Sequence, residues 1–248
     1  MSIIFAYLEG DISKRVHITD YDQKIHKGKV TCCDGHEVIA KRGQKVVWHY
    51  SHTTKAGDGC SRAMGPWHRW WQDRVEDDFL EIILKRDGKK HIADMINGDD
   101  LVIEFQKSVV GPEIIEERER FYNNMIWIFC CVDTRIKILD TYGQYQHLKM
   151  IGGSKFFLKA KKRTFLDFDQ RGVLELLEVK NEHKSKPELF VKIWTMKEID
   201  NLFMDGCLKD GADNRIYRMP YKFERKNENF EDAKKIFLAR KKIGNKKT

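Results

Sequence analysis

Proline is scarce in this chain, four in 248 residues, and no Gly/Ser run is long enough to act as a flexible linker. That scarcity excludes a string of small modules and leaves one large domain or two small ones. No apolar run approaches the roughly 18 residues that a membrane-spanning helix needs, so no membrane partner is expected. The N-terminal "MSIIFAYLEGD" is too short, and too acidic at its end, for a secretory signal. Six cysteines fall as two adjacent pairs, Cys32-Cys33 and Cys130-Cys131, and two singles, Cys60 and Cys207. This is no disulfide framework, and a reducing, intracellular setting is the expectation.

What the chain does contain is ample for a buried core: 41% hydrophobic and 11% aromatic residues. Lys and Arg number 46 against 38 Asp and Glu, a surplus of eight that suits a polyanionic partner. Many soluble proteins carry as much. From Lys222 onward there are ten basic and four acidic residues, so six of that surplus lie in the tail.

Residues 1–62 read as short strands and turns, with alternation in "SIIFAYLE", "EVIAKRG" and "KVVWHYSH". "PWHRWWQDRVEDDFLEII" then changes period, placing Trp67, Trp70, Trp71, Arg74, Val75 and Phe79 at helical spacing behind Pro66. Three strand-like runs follow, "LEIILKRD", "KHIADMI" and "LVIEFQ", separated by the turn signals "DGKK" and "NGDD". "GPEIIEERERFYNN" reads as a helix and "MIWIFCCVD" as a strand buried on both faces. The order is α-β-β-β-α-β in an α/β chain with a mixed sheet. Beyond it, "RIKILDTY", "KFFLKAKK", "TFLDF" and "GVLELLEV" suggest strands, 187–206 a helical piece, and the tail a basic helix. The expected domains are 1–62, 63–182 and 183–248, the last a helical basic extension.

Asp94 and Glu104 stand out because each is embedded in an apolar strand, where an unpaired carboxylate is costly. Glu104 and Gln106 are two apart, so they share a face. Asp94 shares it only if paired residue numbers across the hairpin sum to an even value. A two- or four-residue loop on Asn97-Gly98 or "NGDD" gives an odd sum, so a metal site requires an odd loop or a bulge. With that demand met, two carboxylates suit Mg²⁺ or Mn²⁺. Such an ion activates water against a phosphodiester, and Gln106 orients water or phosphate without supplying charge.

"PWHRWWQ", "HIADM", "LVIEFQKS", "EERERFYNNMIWIF" and "FLDF", in that order, resemble the CoiA-like competence nuclease family of the PD-(D/E)XK restriction-endonuclease-like superfamily. The resemblance spans roughly residues 30 to 180. It implies a restriction-endonuclease-like core in which Asp94, Glu104 and Gln106 hold the family's D…E-x-Q positions, with glutamine as the family's own variant. It extends to Ser108 and to a helix carrying Arg118 and Tyr122. Arg118 either binds phosphate or braces the strands through a buried ion pair. Tyr122, Trp127 and the Trp67/Trp70/Trp71 cluster read as core. Relatives often carry a glutamate just before the "WH" of the first helix, whereas this chain has "AMGPWH". Glu76 or Glu81 would have to substitute, and His68 is retained as a candidate for orienting water.

Upstream, "VTCCDGHEVIAKRGQKVVWHYSH" with Cys60 resembles the small zinc-ribbon-like module that precedes this core in relatives. It implies a structural Zn²⁺ on Cys33, His52 and Cys60, with His49 or Cys32 as fourth ligand. Together these features imply a metal-dependent nuclease acting on DNA, or a catalytically inactive DNA-binding adaptor with the same fold. Lys159, Lys161, Lys162 and Arg163, with the tail "ARKKIGNKK", are the expected backbone contacts. The oligomeric state stays open between monomer and homodimer.

Overall fold

Short alternating segments broken by turns build the first of two compact units, Met1–Ile92 and Ala93–Thr248. The computed structural model describes residues 3–44, 48–53, 65–169, 172–204, 206–209 and 229–244. Cys60 and Met64 lie outside the described residues. In the first unit, β1 (Phe5–Leu8) pairs antiparallel with β2 (Arg15–His17) and with β3 (Val30–Thr31). The single turn α1 (Gln23–His26) separates β2 from β3 and is capped by the Asp22 side chain. β4 (Val38–Lys41) and β5 (His49–His52) form a second ribbon.

α2 (Pro66–Gln72) opens on Pro66, whose missing N–H is no loss in a first turn, and buries Trp67, Trp71 and Gln72. It is shorter than the periodicity predicts. The chain leaves the helix at Asp73 and makes a tight turn at Asp77–Phe79, so Phe79 is not on the helix. β6 (Leu80–Arg86) follows, then Asp87 and Gly88 at φ +50° and +73°, the backbone of a two-residue hairpin turn. β7 (Lys89–Ile96) begins in this unit and continues into the second.

The second unit is organised around two wholly apolar-flanked strands. β8 (Val102–Gln106) is buried at every position. It runs parallel to β9 (Met125–Cys130), and α3 (Pro112–Tyr122) makes the crossover. β10 (Arg135–Tyr142), β11 (Tyr145–Gly152), β12 (Arg163–Asp167), β13 (Val173–Lys180) and β14 (Glu188–Trp194) complete the sheet, followed by α4 (Met196–Phe203) and α5 (Phe230–Gly244). Within this unit the sheet order is β10-β11-β14-β13-β12-β9-β8-β7. β8, β9 and β12 are mutually parallel and the other pairs antiparallel. The protein is therefore a mixed α/β chain with a large mixed sheet and few helices, and α2-β6-β7-β8-α3-β9 has the expected element order.

Two expectations need correcting. "KFFLKAKK" is not a strand; Phe156–Lys159 is a tight helical turn that buries Phe157. Residues 188–194 are a strand, not helix, and β14 lies between β11 and β13 inside the sheet. β14 thus belongs to the sheet of the second unit, and the two compact units meet in sequence at Ile92/Ala93. The helical part of 187–206 is α4, closed by a reciprocal Thr195/Glu198 cap. α5 lays Ala233 and Phe237 on Tyr145 and Phe190.

Candidate metal centre on strands β7 and β8

The hairpin loop meets the parity demand. Met95 pairs with Ile103 and Ile96 with Val102, so paired numbers sum to 198, an even value that sets Asp94 across from Glu104. Asn97 makes this possible. Its amide donates to the Leu101 carbonyl (3.1 Å), while its side-chain Oδ1 accepts from the Asp99 and Leu101 amides (3.0 Å each). The Asp100 amide donates back to the Asn97 carbonyl (3.1 Å), and Asp100 takes a positive φ of 57°. Gly98-Asp99-Asp100 is thereby a three-residue loop with a left-handed third position. Asn124 Nδ2 donates to the Asp100 carbonyl (3.2 Å) and pins the tip.

Past Met95 the side chains take over from the ladder. The Phe105 amide donates to Asp94 Oδ2 at 2.8 Å, and the Asp94 amide to Glu104 Oε1 at 3.4 Å. Glu104 is completely buried, whereas Asp94 is half-buried. A buried carboxylate needs a partner, and Arg118 from α3 supplies it: Nη1 lies 2.6 Å from Glu104 Oε2. The same nitrogen donates to Gln106 Oε1 at 3.4 Å, and Gln106 Nε2 donates to the Ser108 carbonyl at 2.7 Å. Tyr122, one turn along α3, donates its hydroxyl to Glu104. Burial, then the charges of Glu104 and Asp94, raise its pKa, so it remains a neutral donor.

The structure therefore brings together Asp94, Glu104, Gln106, Arg118 and Tyr122. Arg118 braces the strands through a buried ion pair and is 4% exposed. The donor set is of the kind a hard divalent cation takes: two carboxylates from adjacent strands, the buried one paired with Arg118. His68 is half-buried on α2 in the first unit, its ring edge-on to Trp67. Glu76 and Glu81 also belong to the first unit.

The predicted basic contacts are largely paired internally. Lys159 reaches Glu182 at 2.8 Å, Arg163 reaches Glu175 at 2.7 Å, and Lys161 lies 3.8 Å from Glu116. Glu119, buried on α3, accepts from the amides of Lys161 (2.8 Å) and Lys162 (3.0 Å) and from Trp127 Nε1 (3.0 Å). It holds the basic loop against the helix, a role sequence reading did not assign. Trp127 is fully buried, as expected of a core residue.

In the first unit one group of residues that could hold a metal overlaps the expected ligands at Cys32 and His52, while Cys60 lies outside the described residues. Among the described residues, Cys32, His36 and His52 place one ligand atom each within 4.8 Å of one another. Cys32 opens a turn closed by the Gly35 amide on its carbonyl (3.0 Å), with Gly35 at φ +81°. The Asp34 amide points at Cys32 Sγ (3.3 Å), and His36 Nδ1 lies 3.6 Å from it. Cys33 points elsewhere, 3.7 Å from Lys90 Nζ. Burial, with Asp34 next, pushes the Cys33 thiol up to about 11, which disfavours a thiolate ligand. His49 is in β5 but outside the group. His36 was missed; its signal was the Cys-x3-His spacing around Gly35.

A second group, His17, Asp20 and Asp77, is knit by Thr19, whose Oγ1 lies 2.6 Å from His17 Nδ1 and donates to Asp20 at 3.1 Å. Cys32, Cys33, Cys130 and Cys131 are free thiols, and no described helix is long and apolar enough to cross a membrane. Compared with protein-family models, curated proteins and solved structures, the chain matches none.

Proposed function

We propose that this chain is a divalent-metal-dependent nuclease that hydrolyses phosphodiester bonds of DNA, built on a restriction-endonuclease-like core. The observation that carries the reading is the hairpin register that sets Asp94 opposite Glu104 on the strand bearing Gln106. Asp94 and Glu104 would hold Mg²⁺ or Mn²⁺, which when bound would lower the pKa of water and shield charge on the phosphodiester. Gln106, fixed through Ser108 and Arg118, orients a polar group beside the carboxylates. Arg118 supplies the positive charge that glutamine lacks and is paired with Glu104. The element order and the resemblance to CoiA-like nucleases support the same reading.

Cys32, His36 and His52 form a second, structural site, for Zn²⁺. One sulfur and two imidazoles suit that ion, and the Asp34 amide directed at Cys32 Sγ fixes the sulfur's position.

A DNA-binding adaptor that does not cut is the alternative, favoured by Gly65-Pro66 in place of an acid before Trp67. The test is incubation of the purified chain with labelled single-stranded, duplex and branched DNA, with and without Mn²⁺. Metal-dependent cutting abolished by Asp94→Ala and by Glu104→Ala is the expected result. DNA binding without cutting selects the adaptor, and equal cutting by wild type and variants refutes the site.

A further inference from the structure

His17, Asp20 and Asp77 in the first unit belong neither to the acid pair on β7 and β8 nor to the Cys32 group. We propose that they form a binding site for a divalent first-row transition metal, Mn²⁺ first among them, held by one imidazole and two carboxylates.

The turn that presents the first two ligands follows from its residues. Ile18 is fully buried and its amide donates to the Ile4 carbonyl at 2.8 Å, which anchors the chain between His17 and Thr19. The Asp20 amide donates to the His17 carbonyl at 3.0 Å and closes the turn. Thr19 ties the two ligands together, with Oγ1 2.6 Å from His17 Nδ1 and 3.1 Å from Asp20 Oδ1.

Asp77 comes from a distant part of the sequence, the tight turn before β6, and Arg15 brings it in. The Arg15 guanidinium lies 3.9 Å from the centre of the Phe5 ring and donates to the carbonyls of Asp77 and Leu80, the latter at 2.8 Å. Phe5 also packs on the His17 imidazole, 5.1 Å between ring centres, and His17 is 9% exposed. The ring and the aspartate backbone are thus both fixed from outside the group, as a preformed site requires.

The separations suit one ion. Asp77 Oδ2 lies 3.9 Å from His17 Nδ1, and one donor atom each from His17, Asp20 and Asp77 fall within 4.8 Å of one another. Donors about 2.1 Å from a shared ion lie at most about 4.2 Å apart, so small side-chain rotations close the set. The imidazole disfavours Mg²⁺ and Ca²⁺, which take oxygen ligands, and the lack of a thiolate distinguishes this group from the one at Cys32. Asp20 is exposed, so an ion reaches the group from solvent. A His17–Asp77 ion pair without metal is the competing account.

The test uses the full chain loaded with one equivalent of Zn²⁺, then titrated with Mn²⁺ and read by calorimetry and electron spin-echo spectroscopy. A bound Mn²⁺ with nitrogen modulation from one imidazole is expected, a signature that the Asp94 and Glu104 carboxylates cannot give. Asp20→Asn and Asp77→Asn are each expected to weaken that ion by more than about tenfold, and Asp94→Asn to retain it. Should Asp77→Asn not fold, Asp20→Asn, at an exposed position, decides. Wild type without nitrogen-modulated Mn²⁺ overturns the inference and leaves the ion pair. Modulation that survives the aspartate variants unweakened, or is lost with Asp94→Asn, overturns it as well.

Discussion

The two candidate ion sites of the proposed function contrast in how each meets the problem of its own charge. On β7 and β8 the candidate ligands are two carboxylates, Glu104 buried and Asp94 half-buried, and Arg118 is an internal cation paired with Glu104. At the Cys32 turn two of the three donors are imidazoles, and the residues grade from buried Cys32 through half-buried His52 to exposed His36. The first site is built by main-chain register and stays charge-paired without a metal. The second is built by a tight turn and brings one strand residue to it. An acid centre of this kind is a stability problem solved internally, whereas a thiol-imidazole centre leaves its cohesion to the ion.

Removing Glu104 should produce the largest effect. Glu104→Ala leaves Arg118 buried without its ion partner, and we expect a loss of about 3–5 kcal/mol in denaturant unfolding. A loss under 1 kcal/mol would mean that Arg118 finds another partner and that the ion pair is not what holds β8 to α3.

Next in size is the zinc content. Elemental analysis should find one zinc per chain, absent in Cys32→Ser and in His52→Ala but retained in Cys33→Ser and in Asp94→Asn. Zinc lost with Cys33 rather than Cys32 would break the contrast, because the turn would then present the other thiol.

Asn97→Ala tests the loop that sets the register. Two amides lose their side-chain acceptor, at a cost of about 1–2 kcal/mol, and metal-dependent cutting should fall with it. Unchanged cutting would show that the hairpin keeps its register without the carboxamide.

The smallest effect is a pH dependence at His52. Burial first, and His36 next, lower its pKa from 6.5, so the folded state prefers the neutral ring. That contribution is complete above pH about 6.5 and is lost as pH falls through the lower folded value. Thermal scans of the zinc-free chain from pH 8 to 5 should show this component in wild type and lack it in His52→Gln. A destabilisation on raising the pH instead would reverse the sign and refute it.

Much of this was legible in residue patterns. Glu104 drew attention because a carboxylate between Ile103 and Phe105 demands a partner, and Arg118 lay on the next helix at the right place to be one. β9 was plain as an unbroken apolar run. The loop was harder: Asn97-Gly98 carries the signature of a two-residue turn, and only the Asn97 carboxamide bonds and a left-handed Asp100 make it three. β11 was missed because "YQHLKMIG" buries polar Gln146 and His147, the latter paired to Glu188 at 2.9 Å, so no alternation survives. β14 was hidden for a similar reason, its neighbour α4 lending helical period to the whole stretch. Cys32 and Cys33 differ by one position, and a turn's handedness, not its composition, decides which thiol faces the histidines.

The most direct measurement maps where a metal binds. Fe²⁺ loaded in place of Mg²⁺, with ascorbate and peroxide, cuts the backbone beside the ion, and mass spectrometry locates the cuts. Scission on both strands, around Asp94 and around Glu104, lost in the Asp94→Asn/Glu104→Gln variant, is the predicted result. Scission confined to the first unit near Cys32 and His52, or unaltered by that variant, would contradict the account.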